Sequence, residues 1–416
     1  MLIKSEKINI NNSFFGSLPG EFYLADTLEI MPELIEKHAG KVKLVYFDPP
    51  FMTGREFDAN MPVGEKGFAG NRQYFAKIPS YSDQWESREA YLEFLGKVLE
   101  GTKELLTDDG VVCVHVDRHA SAYVRILLDK VFGENCFINE IIWHYHSGGS
   151  SKHSFPAKHD NIYIYGKKSN VKINPAAAGK ARTDKKQNHM KKNVDVDGRV
   201  YFSIKSNGKE YKYYEDDIVS FDDVWDIPHL QQKHPERTGF GTQKPLELLD
   251  RIIKSCSREG DIVCDLFAGS GTTLISAFNN NRRFIGVDKA ALSLLTFRRR
   301  LTAKSTFDVE IFHTSKPNDM AGISIQKAES ENHVTISFEA YRALDVESTL
   351  PKYSDGLQYL NYVSVGRIEG ETFITEAYSV RTPGKPALKC DFTVEKGGKK
   401  AVYFCDCLGN HRFVEI

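Results

Sequence analysis

One stretch limits the fold of this chain more than any other: Ile262-Val263-Cys264-Asp265-Leu266-Phe267-Ala268-Gly269-Ser270-Gly271-Thr272. A short β-branched run reads as a buried strand, the paired glycines as a tight turn, and Thr272 to Phe278 as a helix. A second apolar run, Phe284-Ile285-Gly286-Val287, ends in Asp288, 23 residues beyond Asp265. Strand, glycine turn, helix, strand and trailing acid make up the ligand-binding half of a doubly wound sheet. The glycines let the backbone approach a ligand, and the acid suits ribose hydroxyls. The dinucleotide pattern G-x-G-x-x-G fails, because Leu274 stands at its third position, and no lysine follows Gly271 as in a phosphate-binding loop.

The same alternation recurs upstream. Lys41 to Phe47 (KVKLVYF) reads as a buried parallel strand, stopped at the sheet rim by Asp48-Pro49-Pro50-Phe51. Ser87 to Leu106 carries a helical stripe, followed by a strand at Val111 to Val116, a helix at Ala120 to Val131 and a strand at Phe137 to Trp143. Pro245 to Cys256 reads as a further helix. Met52 to Ser80 is rich in Gly, Asn and Pro with no period and predicts a mobile flap. From His144 to Glu236 short Tyr-rich pieces surround a basic run, and beyond Lys304 alternating strands with Gly turns predict a separate unit.

The predicted fold class is therefore α/β: a doubly wound, mostly parallel sheet with an insertion and a C-terminal β-rich domain. Residues 1–143 and 237–304 form the two halves of the sheet domain, 144–236 the insertion and 305–416 the C-terminal domain.

With 416 residues, 41% hydrophobic and 27% charged, the chain is globular. No run approaches the roughly 18 apolar residues that would cross a bilayer, and Met1 to Leu18 lacks a signal-peptide pattern. The expectation is a cytoplasmic protein with no membrane partner. Seven scattered cysteines predict no disulfides. A net charge of −1 means that any nucleic-acid function must rest on local clusters. One lies between Lys167 and Lys192, where nine basic residues face one acid; its candidate phosphate contacts are Lys167, Lys168, Lys185, Lys186, Lys191 and Lys192. Another runs from Arg282 to Lys304. A solvated face or loop is the competing reading of both.

Asp48-Pro49-Pro50-Phe51 places a carboxylate, a free carbonyl and an aromatic ring together at a sheet rim. Such a set suits an amine whose lone pair is delocalised into a ring: two acceptors, each taking one N–H, push that nitrogen toward a nucleophilic state. The ring can stack on a base swung out of a duplex. Four histidines, His144, His146, His153 and His159, lack a metal-ligand repeat, and Cys390, Cys405, Cys407 and His411 read as core packing, so no metal is expected.

Asp48-Pro49-Pro50-Phe51, Asp265 to Gly271 and Thr242-Gln243-Lys244-Pro245 together resemble the amino-methylating DNA methyltransferases of the permuted β group, to which type III modification subunits belong. Softer matches are Tyr81-Ser82-Asp83-Gln84-Trp85, Val114-His115-Val116-Asp117 and Phe132-Gly133-Glu134-Asn135. The resemblance runs from Tyr23 to Arg300 and leaves the C-terminal domain uncovered. It implies that Asp48 and the Pro49 carbonyl activate the amine, Pro50 sets the turn and Phe51 stacks on the base. S-adenosylmethionine would be held by Asp265, Phe267, Ala268, Gly269, Ser270, Gly271 and Thr272. Asp288 would bind its ribose, Thr242 and Lys244 its carboxylate, and Asp26 would lie near its adenine. The family usually shows glycine where Ala25 stands and often glutamate where Asp288 stands. A leading Asp goes with adenine N6 and a leading Ser with cytosine N4, so the implied activity is adenine-N6 methylation of double-stranded DNA. Cytosine N4, or a specificity subunit of a restriction–modification complex, is the alternative. A second copy of the chain and a restriction endonuclease subunit are the further partners implied. No proline is followed by cysteine, which excludes the thiolate chemistry of cytosine C5.

Overall fold

The computed structural model describes residues 4–10, 20–146, 152–181, 190–231, 233–304, 306–314, 322–343 and 352–416. At its centre six parallel strands lie side by side: Leu106–Val116, Val42–Phe47, Ile262–Asp265, Arg283–Asp288, Gly20–Leu24 and Phe307–His313. In Val42–Phe47 and Ile262–Asp265 the side chains are almost all buried on both faces, which is why they read as nearly continuous apolar runs, while Phe307–His313 alternates buried and half-buried residues. The helices Thr27–His38, Arg88–Leu105 and Ser121–Phe132 pack with one apolar cluster, while Leu246–Cys256, Thr272–Asn279 and Ala291–Leu301 contribute to another. This is the doubly wound α/β sheet expected. Because the strands are parallel, the residues after Phe47, Cys264 and Val287 emerge on one rim, and Asp48, Asp265 and Asp288 meet there.

On one flank, His159–Gly166 runs antiparallel to Leu106–Val116 and to Phe137–His144, and Val224–Asp226 closes the edge. The insertion between them carries a small antiparallel sheet of Lys191–Val194, Val200–Ser206 and Lys209–Tyr214. On the other flank the sheet does not stop near residue 304. Phe307–His313 pairs with Gly20–Leu24, then Ser5–Ile10 pairs with both Phe307–His313 and Thr372–Val380. Leu360–Glu369, Lys399–Asp406 and His411–Glu415 extend the ladder to 14 strands. The first strand of the chain thus bridges the two parts, and a pairing between residues more than 360 positions apart leaves no local trace in the sequence.

The segment predicted as a mobile flap is a β-hairpin instead. Glu56–Pro62 pairs with Phe75–Ser82, and Ala59, Met61, Val63 and Ala76 are buried against C-terminal residues such as Leu360, Tyr362 and Val363. The Asn361 amide donates to the Pro62 carbonyl at 3.4 Å, and the Glu65 N–H donates to Gln358 Oε1 at 3.0 Å. The apolar partner of this hairpin comes from some 300 residues downstream, so its short alternation, broken by Pro62 and Gly64, is uninformative when read alone. All seven cysteines are free thiols, and no helix among the described residues is long and apolar enough to cross a membrane.

Candidate active site

The rim opens into a cavity of about 390 Å³. Its lining contains Asp48, Pro49, Pro50 and Phe51 on one strand end, Asp265 to Ser270 on the next, and Asp288 beyond. Asp26, Thr242, Lys244 and Thr272 also reach it. Every cavity residue singled out from the sequence is therefore brought together, except Gly271, which supports the turn from behind. Its φ of +73° and the Phe297 ring, 3.0 Å from where a Cβ would stand, leave room for glycine only. Gly269 adopts φ +51° and faces the cavity.

The turn Asp265–Thr272 is held by its own acids. Asp265 Oδ1 accepts the Phe267 N–H at 3.0 Å; Asp288 accepts the N–H groups of Gly269 and Ala290, each at 2.8 Å. Burial pushes the Asp265 carboxyl up to about 7, against the lowering effect of hydrogen bonds from Thr273 and Phe267, and nearby Asp48 adds to the rise. Burial raises Asp288 as well, opposed by the Ala290 and Gly269 N–H groups. Asp26 caps the helix Thr27–His38 by accepting the Leu28 N–H at 3.0 Å.

Asp48 has two different oxygens. Oδ2 is paired with the Lys244 ammonium, which also lies 5.4 Å from the centre of the Phe51 ring. Oδ1 is buried and has no hydrogen-bond partner in the protein. A buried acceptor without a donor costs free energy. The sequence assigned Lys244 to a cofactor carboxylate; here it stands beside the Asp48 carboxylate and fixes one of its oxygens. Thr242 is engaged by Tyr81, whose hydroxyl is kept protonated by burial and by the nearby Asp48 charge.

Sequence reasoning missed what holds the Asp48–Phe51 loop. Asp83, 1% exposed, accepts the N–H groups of Phe51, Met52 and Thr53 at 3.2, 2.9 and 2.8 Å, the Thr53 hydroxyl at 2.6 Å and the Trp85 indole N–H at 3.2 Å. Met52 has φ +61°, a conformation a non-glycine residue keeps only when its surroundings impose it. A single acid ringed by Tyr81 and Trp85 was the available signal. Behind Phe51, the His115 ring lies 6.0 Å away, with Tyr46 Oη 2.9 Å from its Nδ1 and Asp160 Oδ2 3.1 Å from its Nε2.

The basic clusters fare differently. Lys167 donates to the Leu106 carbonyl at 2.6 Å and Lys168 pairs with Asp108 at 2.6 Å, both on the rim opposite Asp48, because His159–Gly166 runs antiparallel to its neighbour. Lys167 and Lys168 therefore lie away from the Asp48 rim. Lys185 and Lys186 lie outside the described residues. Lys191 and Lys192 sit on the small sheet of the insertion, where Lys192 pairs with Glu215 at 3.2 Å. The Arg282–Lys304 cluster is largely internal: Arg282 bonds Ser257 and Asn280, Arg298 pairs with Glu6, and Arg300 donates to Ser270 O and Thr272 Oγ1 at 3.0 and 2.7 Å. Among the described residues, His144, His146 and Asp226 are the one group of three metal-type ligands close to one another.

Residues 42–292, from the strand before Asp48 to the helix after Asp288, match the sequence model of the N6/N4 group described as DNA methylase. The chain belongs to this family. Relatives of the methylase include the type II methyltransferase M.EcaI of Enterobacter cloacae, 26% identical over 68% of this chain and 69% of that one. The DNA adenine methyltransferase YhdJ of Escherichia coli K12 is 24% identical over 73% and 90% of the two chains. A solved putative DNA modification methylase from Thermus thermophilus, complexed with S-adenosyl-L-methionine, superposes with a TM-score of 0.44 at 19% identity over 71% of this chain and 99% of that one.

Proposed function

We propose that this methylase transfers a methyl group from S-adenosylmethionine to adenine N6 in double-stranded DNA, with the base flipped into the cavity beside Asp48. The observation that carries this reading is the buried Oδ1 of Asp48, which has no hydrogen-bond partner in the protein, at the rim of a cavity that Pro49 and Phe51 also line. Oδ1 accepts one N6–H and the Pro49 carbonyl the other, drawing the nitrogen lone pair out of the ring. Phe51 offers a face for the purine, and Lys244 holds Asp48 in place through Oδ2. The proton lost from N6 after transfer leaves to solvent; no covalent enzyme intermediate is needed. Among the described residues no cysteine lines the cavity, consistent with direct transfer to an amine.

The turn Asp265–Thr272 and Asp288 suit the cofactor: the glycines let the backbone approach it, Asp288 would accept from its ribose, and Asp265 would lie close to its positive charge. The bound cofactor supplies an electrophilic sulfonium methyl. Adenine is favoured over cytosine by the leading Asp48 and by the activity named for the relative YhdJ. DNA would cross the rim formed by Asp48 and Gly269, with Lys191 and Lys192 of the insertion as further phosphate contacts. A second copy of the chain, a restriction nuclease subunit and a cytoplasmic location belong to the same proposal. Asp48→Ala tests it: methyl transfer is expected to fall below detection while cofactor binding persists, and turnover comparable to the parent would refute the mechanism.

A further inference from the structure

The loop that returns to His159–Gly166 carries a side chain with no structural use. Phe155 is 98% exposed, the most exposed phenylalanine among the described residues. Burying a ring of that size is worth about 2 kcal/mol, which an apolar partner surface placed against it would recover.

Its position limits what that partner is. The loop is closed at its base by the Tyr145 N–H donating to the Lys158 carbonyl at 2.9 Å and by the register His144↔His159. Asn161 pairs with Val116 and Tyr163 with Val114, which itself pairs with Phe47. The loop therefore rises from the rim that carries Asp48. Asp160, two residues past its base, is bonded to His115, the ring beside Phe51. Between residues 152 and 158 there is no acid, while Lys152, His153 and Lys158 flank the ring. Pro156 follows Phe155 and holds it extended, which reduces the conformational freedom lost when the ring is engaged.

We propose that Phe155 enters the base stack of the DNA duplex as the target nucleotide leaves it, with Lys152 and Lys158 on the flanking phosphates. This rests on the methyltransferase reading above. A flipped base leaves a gap whose walls are base faces, and an exposed aromatic ring between cations is the complement of that gap. Phe155 is thus a positioning residue: it holds the opened duplex and does not touch the reacting atoms.

The test compares the parent, Phe155→Ala and Phe155→Trp on a duplex carrying the site at which the parent methylates DNA. With 2-aminopurine at the target position, the parent is expected to raise the fluorescence, Phe155→Ala to lose most of that rise and Phe155→Trp to retain it. Methyl transfer by Phe155→Ala should fall about thirtyfold in kcat/KM on the intact duplex. It should recover to within about threefold when the target adenine faces an abasic site, where little unstacking remains to be done. A merely structural role would not be rescued by changing the DNA. Parent-like transfer and fluorescence in Phe155→Ala, or a defect that the abasic duplex leaves unchanged, would overturn the proposal while leaving the methyltransferase reading in place. Failure of the parent itself to methylate DNA would overturn both.

Discussion

The Asp83 carboxylate does not line the cavity, and yet it holds the loop on which the proposed chemistry depends. Replacing it with alanine removes five hydrogen bonds at once, of which three hold the backbone of Phe51, Met52 and Thr53. Bonds to a charged acceptor contribute about 1.5–3 kcal/mol each when buried. The loop residues are only partly buried, so water can replace much of that, and the low end applies to about two of them. The left-handed Met52 adds about 1 kcal/mol of strain that is released once the loop relaxes. A shift of about 3–4 kcal/mol toward loops that misplace Pro49 and Phe51 corresponds to a loss of about 10²–10³ in rate. The assay is single-turnover methyl transfer at saturating DNA, with equilibrium cofactor binding measured on the same preparation. Cofactor affinity is expected to stay within about threefold, since Asp83 makes no hydrogen bond to the Asp265–Thr272 turn, and its retention shows that the variant is folded. A kcat within tenfold of the parent would show that the loop holds its own shape and that this reasoning is mistaken.

Three further outcomes follow from the buried charges. Asp265 is raised to about 7, so it is mostly protonated at pH 6 and ionised at pH 8; a cationic cofactor prefers the ionised form. Cofactor affinity should therefore rise with pH up to about 7, by at most about tenfold per unit, and then level off, while Asp265→Asn should bind weakly with a flat profile. The same shift makes the free protein lose stability as pH rises from the usual carboxylate range to about 7, since the folded state binds the extra proton. At the seam between the central and C-terminal strands, burial alone would raise Glu6, but Arg298, with His313 and Thr375, holds it below its ordinary value. Glu6→Gln leaves the buried Arg298 without its counter-charge and should cost about 3–5 kcal/mol, read as a lower midpoint in urea denaturation.

What could be read from the sequence is what is set locally. Val42–Phe47 and Ile262–Asp265 are continuous apolar runs because parallel central strands are buried on both faces, and their ends at Asp48 and Asp265 mark the rim directly. The glycine turn and the tetrapeptide announce themselves for the same reason: only certain residues satisfy that backbone. The hairpin Glu56–Ser82 was hidden because its buried face is completed by Leu360 and Tyr362. The pairing of Ser5–Ile10 with Thr372–Val380 joins segments more than 360 residues apart, and no local pattern carries it. Charge was the least legible property. Arg298 is buried against Glu6 and Lys168 is bonded to Asp108, so basic residues counted as surface in the sequence have partners that only the fold supplies.

The most direct test of the central claim is to incubate the purified protein with methyl-labelled S-adenosylmethionine and unmethylated bacterial DNA, digest the DNA to nucleosides, and identify the labelled product by mass. Labelled N6-methyldeoxyadenosine is the predicted result. Label in N4-methyldeoxycytidine would contradict the choice of base, and no incorporation despite measurable cofactor and DNA binding would contradict the activity itself.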